Sequence, residues 1–132
     1  MARISSDQDP GQAREALSRL IDAYNRKDQE TLRELYSEEI TLWSTLTGRV
    51  SGRDQVLAHV RELFTKLPNE HMTADTIVTD GKTLVVELTS SGTDAAGQQY
   101  TIRFTEIFEL ADGLFTAIRT YVDPNDVAEI AH

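Results

Sequence analysis

The segment from Tyr100 to Asp123 constrains this chain more than any other, because two runs of strand-like composition flank one turn signal. The first run reads Tyr-Thr-Ile-Arg-Phe-Thr-Glu-Ile-Phe-Glu-Leu, the turn Ala-Asp-Gly, and the return Leu-Phe-Thr-Ala-Ile-Arg-Thr-Tyr-Val-Asp. Asp-Gly between alternating apolar residues is a strong hairpin signal, so a long antiparallel hairpin is expected. Strand side chains alternate between faces, which gathers Tyr100, Ile102, Phe104, Phe108 and Leu110 on one apolar face with a single charged intruder, Glu106. If Asp112 and Gly113 are the central turn residues, an unbroken ladder sets Glu106 opposite Arg119, Phe104 opposite Tyr121 and Ile102 opposite Asp123. That register predicts a pocket wall carrying two carboxylates, a guanidinium and a phenol. A one-residue slip would move the charged set of the return strand to the other face.

Glu106, flanked by Phe104 and Phe108, is expected to be desolvated, with its pKa raised toward the range useful for acid catalysis. Arg119 opposite it would keep it ionised, so a structural ion bridge and a ligand-contacting carboxylate both stay open. Asp123 precedes Pro124 and Asp126, a good helix start, and a cap and a cavity-facing acid are compatible only if one oxygen serves each. Tyr121 and Tyr24 are candidate donors to a substrate oxygen, although large aromatics on core faces pack first. Trp43 suits an outer sheet face as well as a pocket.

Residues 1–11 are polar, end in Asp-Pro-Gly and read as a loose arm, leaving residues 12–132 as a single domain. Apolar residues recur at helical spacing from Gln12 to about Arg26, and Asp28 is placed to cap a second helix through Tyr36. Glu39 to Thr45 has strand composition and Thr47-Gly48 turns into a short segment at Arg49 and Val50. Ser51-Gly52-Arg53-Asp54 resembles a capping box opening a third helix that stops at Pro68, with His59 on the edge of its apolar stripe. Met72–Thr79, Asp80-Gly81 and Thr83–Ser91 form another hairpin. The expectation is an α+β fold, a mainly antiparallel sheet with three main helices on one face.

A net charge of -9 argues against a nucleic-acid or anionic-membrane surface. Without cysteine there is no thiolate metal site, and the three histidines lack metal-motif spacing, so no metal is expected. With no signal-peptide layout and no apolar run of spanning length, the expectation is a soluble, cytoplasmic protein. No phosphate-cradling glycine loop and no Gly-x-Ser-x-Gly elbow occurs.

Asn25-Arg-Lys-Asp28 between two helices, Gly52-Arg-Asp-Gln-Val56 opening the next, and Asp112-Gly113 ahead of Ile-Arg-Thr-Tyr-Val-Asp123 together resemble the nuclear transport factor 2-like superfamily, and more closely its SnoaL-like branch. The resemblance covers roughly residues 12–131 and is sharpest at Arg119-Thr-Tyr-Val-Asp123. It implies a cone-shaped fold around a deep apolar pocket and a homodimer. It also implies a hydrophobic small-molecule substrate or ligand and no cofactor.

In SnoaL-like polyketide cyclases the Asp ending an Arg-x-aromatic-x-Asp strand is the acid/base, and Asp123 matches it. Limonene-epoxide hydrolases also use an Asp there, but their Arg-x-Asp pair falls here on Leu88 and Ser90. Ketosteroid isomerases place a base where this chain has Ser44 and a tyrosine where it has Leu20, while Glu106 approximately matches their second oxyanion-binding acid.

Two functions follow as expectations. One is a cofactor-free cyclase or isomerase acting on a hydrophobic carbonyl or polyketide-like compound. In it Asp123 and Glu106 are catalytic, and Arg119, Tyr121, Phe104, Phe108, Tyr24 and Ser44 contact the substrate. The other is a non-catalytic binding or dimeric interaction module of the same fold, with Glu106 and Arg119 as a core bridge and Asp123 as a cap only.

Overall fold

The structure, a computed structural model, describes residues 9–131. Of the expected arm over residues 1–11, residues 1–8 lie outside the described residues, whereas Asp9 caps the first helix and Pro10 and Gly11 belong to it, so that it starts two residues earlier than the apolar pattern suggested. Asp9 accepts a hydrogen bond from Gly11 N, and Pro10 takes a first-turn position where a missing N–H is harmless. Helix α1 spans Pro10–Asn25 and buries Leu17, Leu20, Ala23 and Tyr24. Asp28 caps α2, Gln29–Leu35, through Thr31 N and the Thr31 hydroxyl.

Strand β1, Tyr36–Ser44, follows at once, then β2, Gly48–Ser51, and α3, Arg53–Lys66. No side chain caps α3: Asp54, expected in a capping box, pairs with Arg33 of α2 instead. Four strands complete the sheet: β3, His71–Thr79; β4, Thr83–Thr93; β5, Gln99–Ala111; β6, Leu114–Tyr121. Helix α4, Pro124–Ala128, closes the described chain.

The strands form one curved, unclosed sheet in the order β2-β1-β6-β5-β4-β3. All pairs are antiparallel except β1 with β6, whose strands lie far apart in sequence and are joined through the rest of the fold. Helix α1 packs on β3 and α3 on β1, so the helices cover one face of the sheet. Leu84, Val86 and Leu88 of β4 and Phe108 of β5, each at most 1% exposed, form the floor beneath them. Burying a side chain of this size contributes about 1.5–3 kcal/mol, which is why alternate positions of the central strands are apolar. Among the described residues no helix is long and apolar enough to cross a membrane.

The hairpin register corrects the expected one. Ala111 pairs with Leu114, and Asp112 (φ 53°) and Gly113 (φ 78°) adopt the left-handed conformations that a two-residue turn of this kind requires. The ladder then shifts by one residue between Glu109 and Leu110: Leu110 faces Phe115, Glu109 faces Ala117, and Thr116 is the extra residue of a bulge. Glu106 consequently pairs with Thr120, and Arg119 pairs with Ile107. The bulge lets both Phe115 and Ile118 face the core, at 0% and 5% exposed, where strict alternation would have buried Arg119. A buried guanidinium carries a heavy desolvation cost, and the shifted register avoids it.

Candidate functional site

Between sheet and helices lies a cavity of about 200 Å³. Its wall on β5 is Ile102, Phe104, Glu106 and Phe108, the face expected from alternation. From β6 and the residue after it come Ile118, Thr120 and Val122 rather than Ala117, Arg119 and Tyr121. Further polar groups in the lining come from Tyr24 of α1, Tyr36 and Ser44 of β1, Ser90 of β4, Glu70 of the α3–β3 connection, and His59 and Lys66 of α3. Among the described residues no His, Asp and Glu side chains converge as a metal ion would require.

Glu106 stands on the central strand between Val86 and Thr120, its two cross-strand partners. Thr120 Oγ1 donates to Glu106 Oε2 at 2.6 Å. Burial pushes the Glu106 carboxyl up from 4.5 to about 7, with the Thr120 hydrogen bond opposing and the charge of Glu70 adding to the rise. The desolvation argument from Phe104 and Phe108 therefore applies without the opposing guanidinium. A neutral hydroxyl stabilises the ionised form far less than Arg119 would have.

Glu70, which no periodic pattern singled out, is fixed by two hydroxyls. Tyr24 OH donates to Oε1 at 2.6 Å and Ser90 Oγ to Oε2 at 2.5 Å. Its position follows from a clamp next door: Asn25 Nδ2 donates to Met72 O at 2.9 Å, and Met72 N donates to Asn25 Oδ1 at 2.8 Å. The end of α1 and the start of β3 are thereby tied, which brings Tyr24 and Glu70 together. Burial first, then the charge of Glu70, raises the Tyr24 phenol well above its usual range. Tyr36, 3% exposed, is likewise raised, by burial and then by Glu106. Burial lowers the His59 imidazole, so its place on the stripe edge is also a place in the cavity wall.

Ser90 carried a signal that the periodicity contained. It follows Leu84, Val86 and Leu88 on the buried face of β4 and is the one polar residue in that series. Ser44 lines the cavity and accepts a hydrogen bond from Leu46 N at 3.1 Å. Phe104, Phe108 and Tyr24 are also in the wall.

Three expected site residues stand elsewhere. Arg119 NH1 lies 2.6 Å from Glu109 Oε2 on the opposite face of the sheet, a partly exposed pair of the kind that contributes about 0–1 kcal/mol. Tyr121, 43% exposed, packs its ring 5.2 Å from that of Trp43 on that same outer face. Asp123 is exposed, lies outside the cavity lining, and accepts from Asn125 N at 2.9 Å as the cap of α4.

The family model described as SnoaL-like domain matches residues 17–118. No curated protein sequence matches the chain. Among solved structures, a protein of Jannaschia sp. CCS1 assigned as a SnoaL-like polyketide cyclase superposes with a TM-score of 0.84 at 21% identity, over 98% of this chain and 96% of that one. An LEH-like epoxide hydrolase of M. tuberculosis gives 0.77 at 18% identity, over 90% and 88%. A protein of Xanthomonas campestris pv. campestris assigned as a polyketide cyclase gives 0.77 at 18%, over 92% and 96%. At these identities the likeness is one of fold.

Proposed function

We propose that this chain, which belongs to the SnoaL-like family, catalyses a cofactor-free acid/base conversion, a cyclisation or isomerisation, of a hydrophobic carbonyl compound, with Glu106 as the group that moves the proton. The observation that carries this reading is a carboxyl group set between Phe104 and Phe108 on the β5 wall of the cavity, pushed to about 7. A group that titrates near the working pH is present in both forms and accepts and returns a proton with little penalty in either direction. Glu106 would take a proton from the carbon beside the carbonyl and deliver it to another position on the same molecule. The Tyr36 hydroxyl, buried in the same wall, would donate to the carbonyl oxygen as charge develops on it. Phe104, Phe108 and Tyr24 would hold the apolar body of the substrate, with Ser44 as a further polar contact. Asp123, Arg119 and Tyr121 take no part in this scheme, because none of them reaches the cavity lining.

Proton transfer can be read without knowing the natural substrate. A panel of hydrophobic aryl ketones and polyketide-like ketones is incubated with the protein in deuterium oxide, and NMR follows deuterium entry beside the carbonyl. Exchange with at least one ketone is expected, its rate climbing with pH through about 7 as Glu106 ionises, and Glu106→Gln should slow it on the order of 100-fold or more. Ketones that bind without exchange would support the non-catalytic binding module instead.

A further inference from the structure

The proposed acid/base step uses one of the two carboxylates in the cavity and leaves Glu70 without a task. Glu70 is held rigidly by Tyr24 and Ser90, yet none of the ion pairs among the described residues involves it or Glu106. Lys66 and His59, the basic groups of the lining, pair with neither. Glu70 is half-buried, and a cationic partner would add a charge-assisted hydrogen bond to the two neutral ones it already accepts.

Tyr24 and Ser90 donate to Glu70, and Thr120 donates to Glu106, and both carboxylates keep further acceptor lone pairs to offer a ligand. Tyr36 points independently to a ligand: it is 3% exposed, lines the cavity, and its hydroxyl makes no hydrogen bond among the described residues. Its phenol oxygen accepts as well as donates, and an ammonium group supplies donors to that oxygen and to the two carboxylates. The rings of Tyr24, Tyr36, Phe104 and Phe108 in the same wall add faces that attract a cation.

We propose that Glu70 is the counter-ion for a protonated amine carried by the cavity's hydrophobic ligand. This rests on the reading of the cavity as a site for a hydrophobic small molecule and adds a positive charge to that molecule. Glu106 stays free for the proton transfer, and an anionic ligand is disfavoured by both carboxylates.

Benzylamine, benzyl alcohol and benzoate share one apolar body and differ in charge, so calorimetric titration of the intact protein with each near neutral pH tests the proposal. Benzylamine is expected to bind at least about tenfold tighter than benzyl alcohol, as a charge-assisted contact exceeds a neutral one, with benzoate weakest. Glu70→Gln should bring benzylamine to the level of the alcohol and leave the alcohol unchanged. Ser90→Ala removes a donor that competes for Glu70 and should tighten benzylamine binding, which keeps the test open if Glu70→Gln does not fold. Equal binding of amine and alcohol, preference for benzoate, no detectable amine binding, or an amine preference that survives Glu70→Gln would each overturn the proposal. So would an unchanged or weakened amine affinity in Ser90→Ala. If the amine preference is missing while Glu106 still titrates near neutrality, only this inference fails. If the preference holds but Glu106 titrates as an ordinary carboxylate, only the acid/base reading fails.

Discussion

Glu106 couples the chemistry of the site to the stability of the protein. Its folded pKa, about 7, lies above the ordinary 4.5, so the folded state holds a proton that the unfolded state has released between those values. Stability from this group is fully present below about pH 4.5 and is lost as pH rises through about 7. Glu106→Gln keeps the shape and removes the charge. It should therefore flatten the pH dependence and make the protein more stable than the parent at about pH 8, by at most about 3 kcal/mol for a shift of this size. Urea unfolding of both proteins at about pH 5 and pH 8 measures this, and a variant less stable at the higher pH would contradict it. The burial of Glu106 was legible in the sequence because its neighbours at two-residue spacing are Phe104 and Phe108. Glu70 was not, since it sits in a connection whose position depends on the Asn25 clamp, a contact between residues far apart in the chain.

At the scale of the element, the turn and its consequences separate cleanly. Asp112-Gly113 announces the hairpin through local backbone preference, and the structure has the turn there. The bulge at Thr116 has no such local mark; it exists because Phe115 and Ile118 both find room inside while Arg119 finds Glu109 outside. That choice is made by packing across the sheet, which residue alternation along one strand cannot express. Helix α4 shows the opposite case, where Asp123, Pro124 and Asp126 spell out a start that the structure contains. Asp123→Asn should cost little stability because Asn caps as well as Asp, whereas Asp123→Ala should cost about 1 kcal/mol. Neither should change the proton-exchange rate by more than a small factor. Loss of exchange in Asp123→Asn with an unchanged melting temperature would return the acid/base role to Asp123.

For the whole molecule, the curved sheet and the helices on its inner face form a wall that shields one central, half-buried carboxylate. The order of elements and the two-residue periodicity made the α+β class and the apolar face of β5 readable in advance. The makeup of the opposite wall depends on how β6, β1 and the α3–β3 connection close around it. The central claim is that this enclosure raises Glu106 into the physiological range, and the titration of its side chain in the intact protein tests it most directly. Carbon-13 NMR of labelled glutamate, with Glu106→Gln to assign the resonance, should show a midpoint of about 7 for Glu106. A midpoint at the ordinary 4.5 would contradict the account.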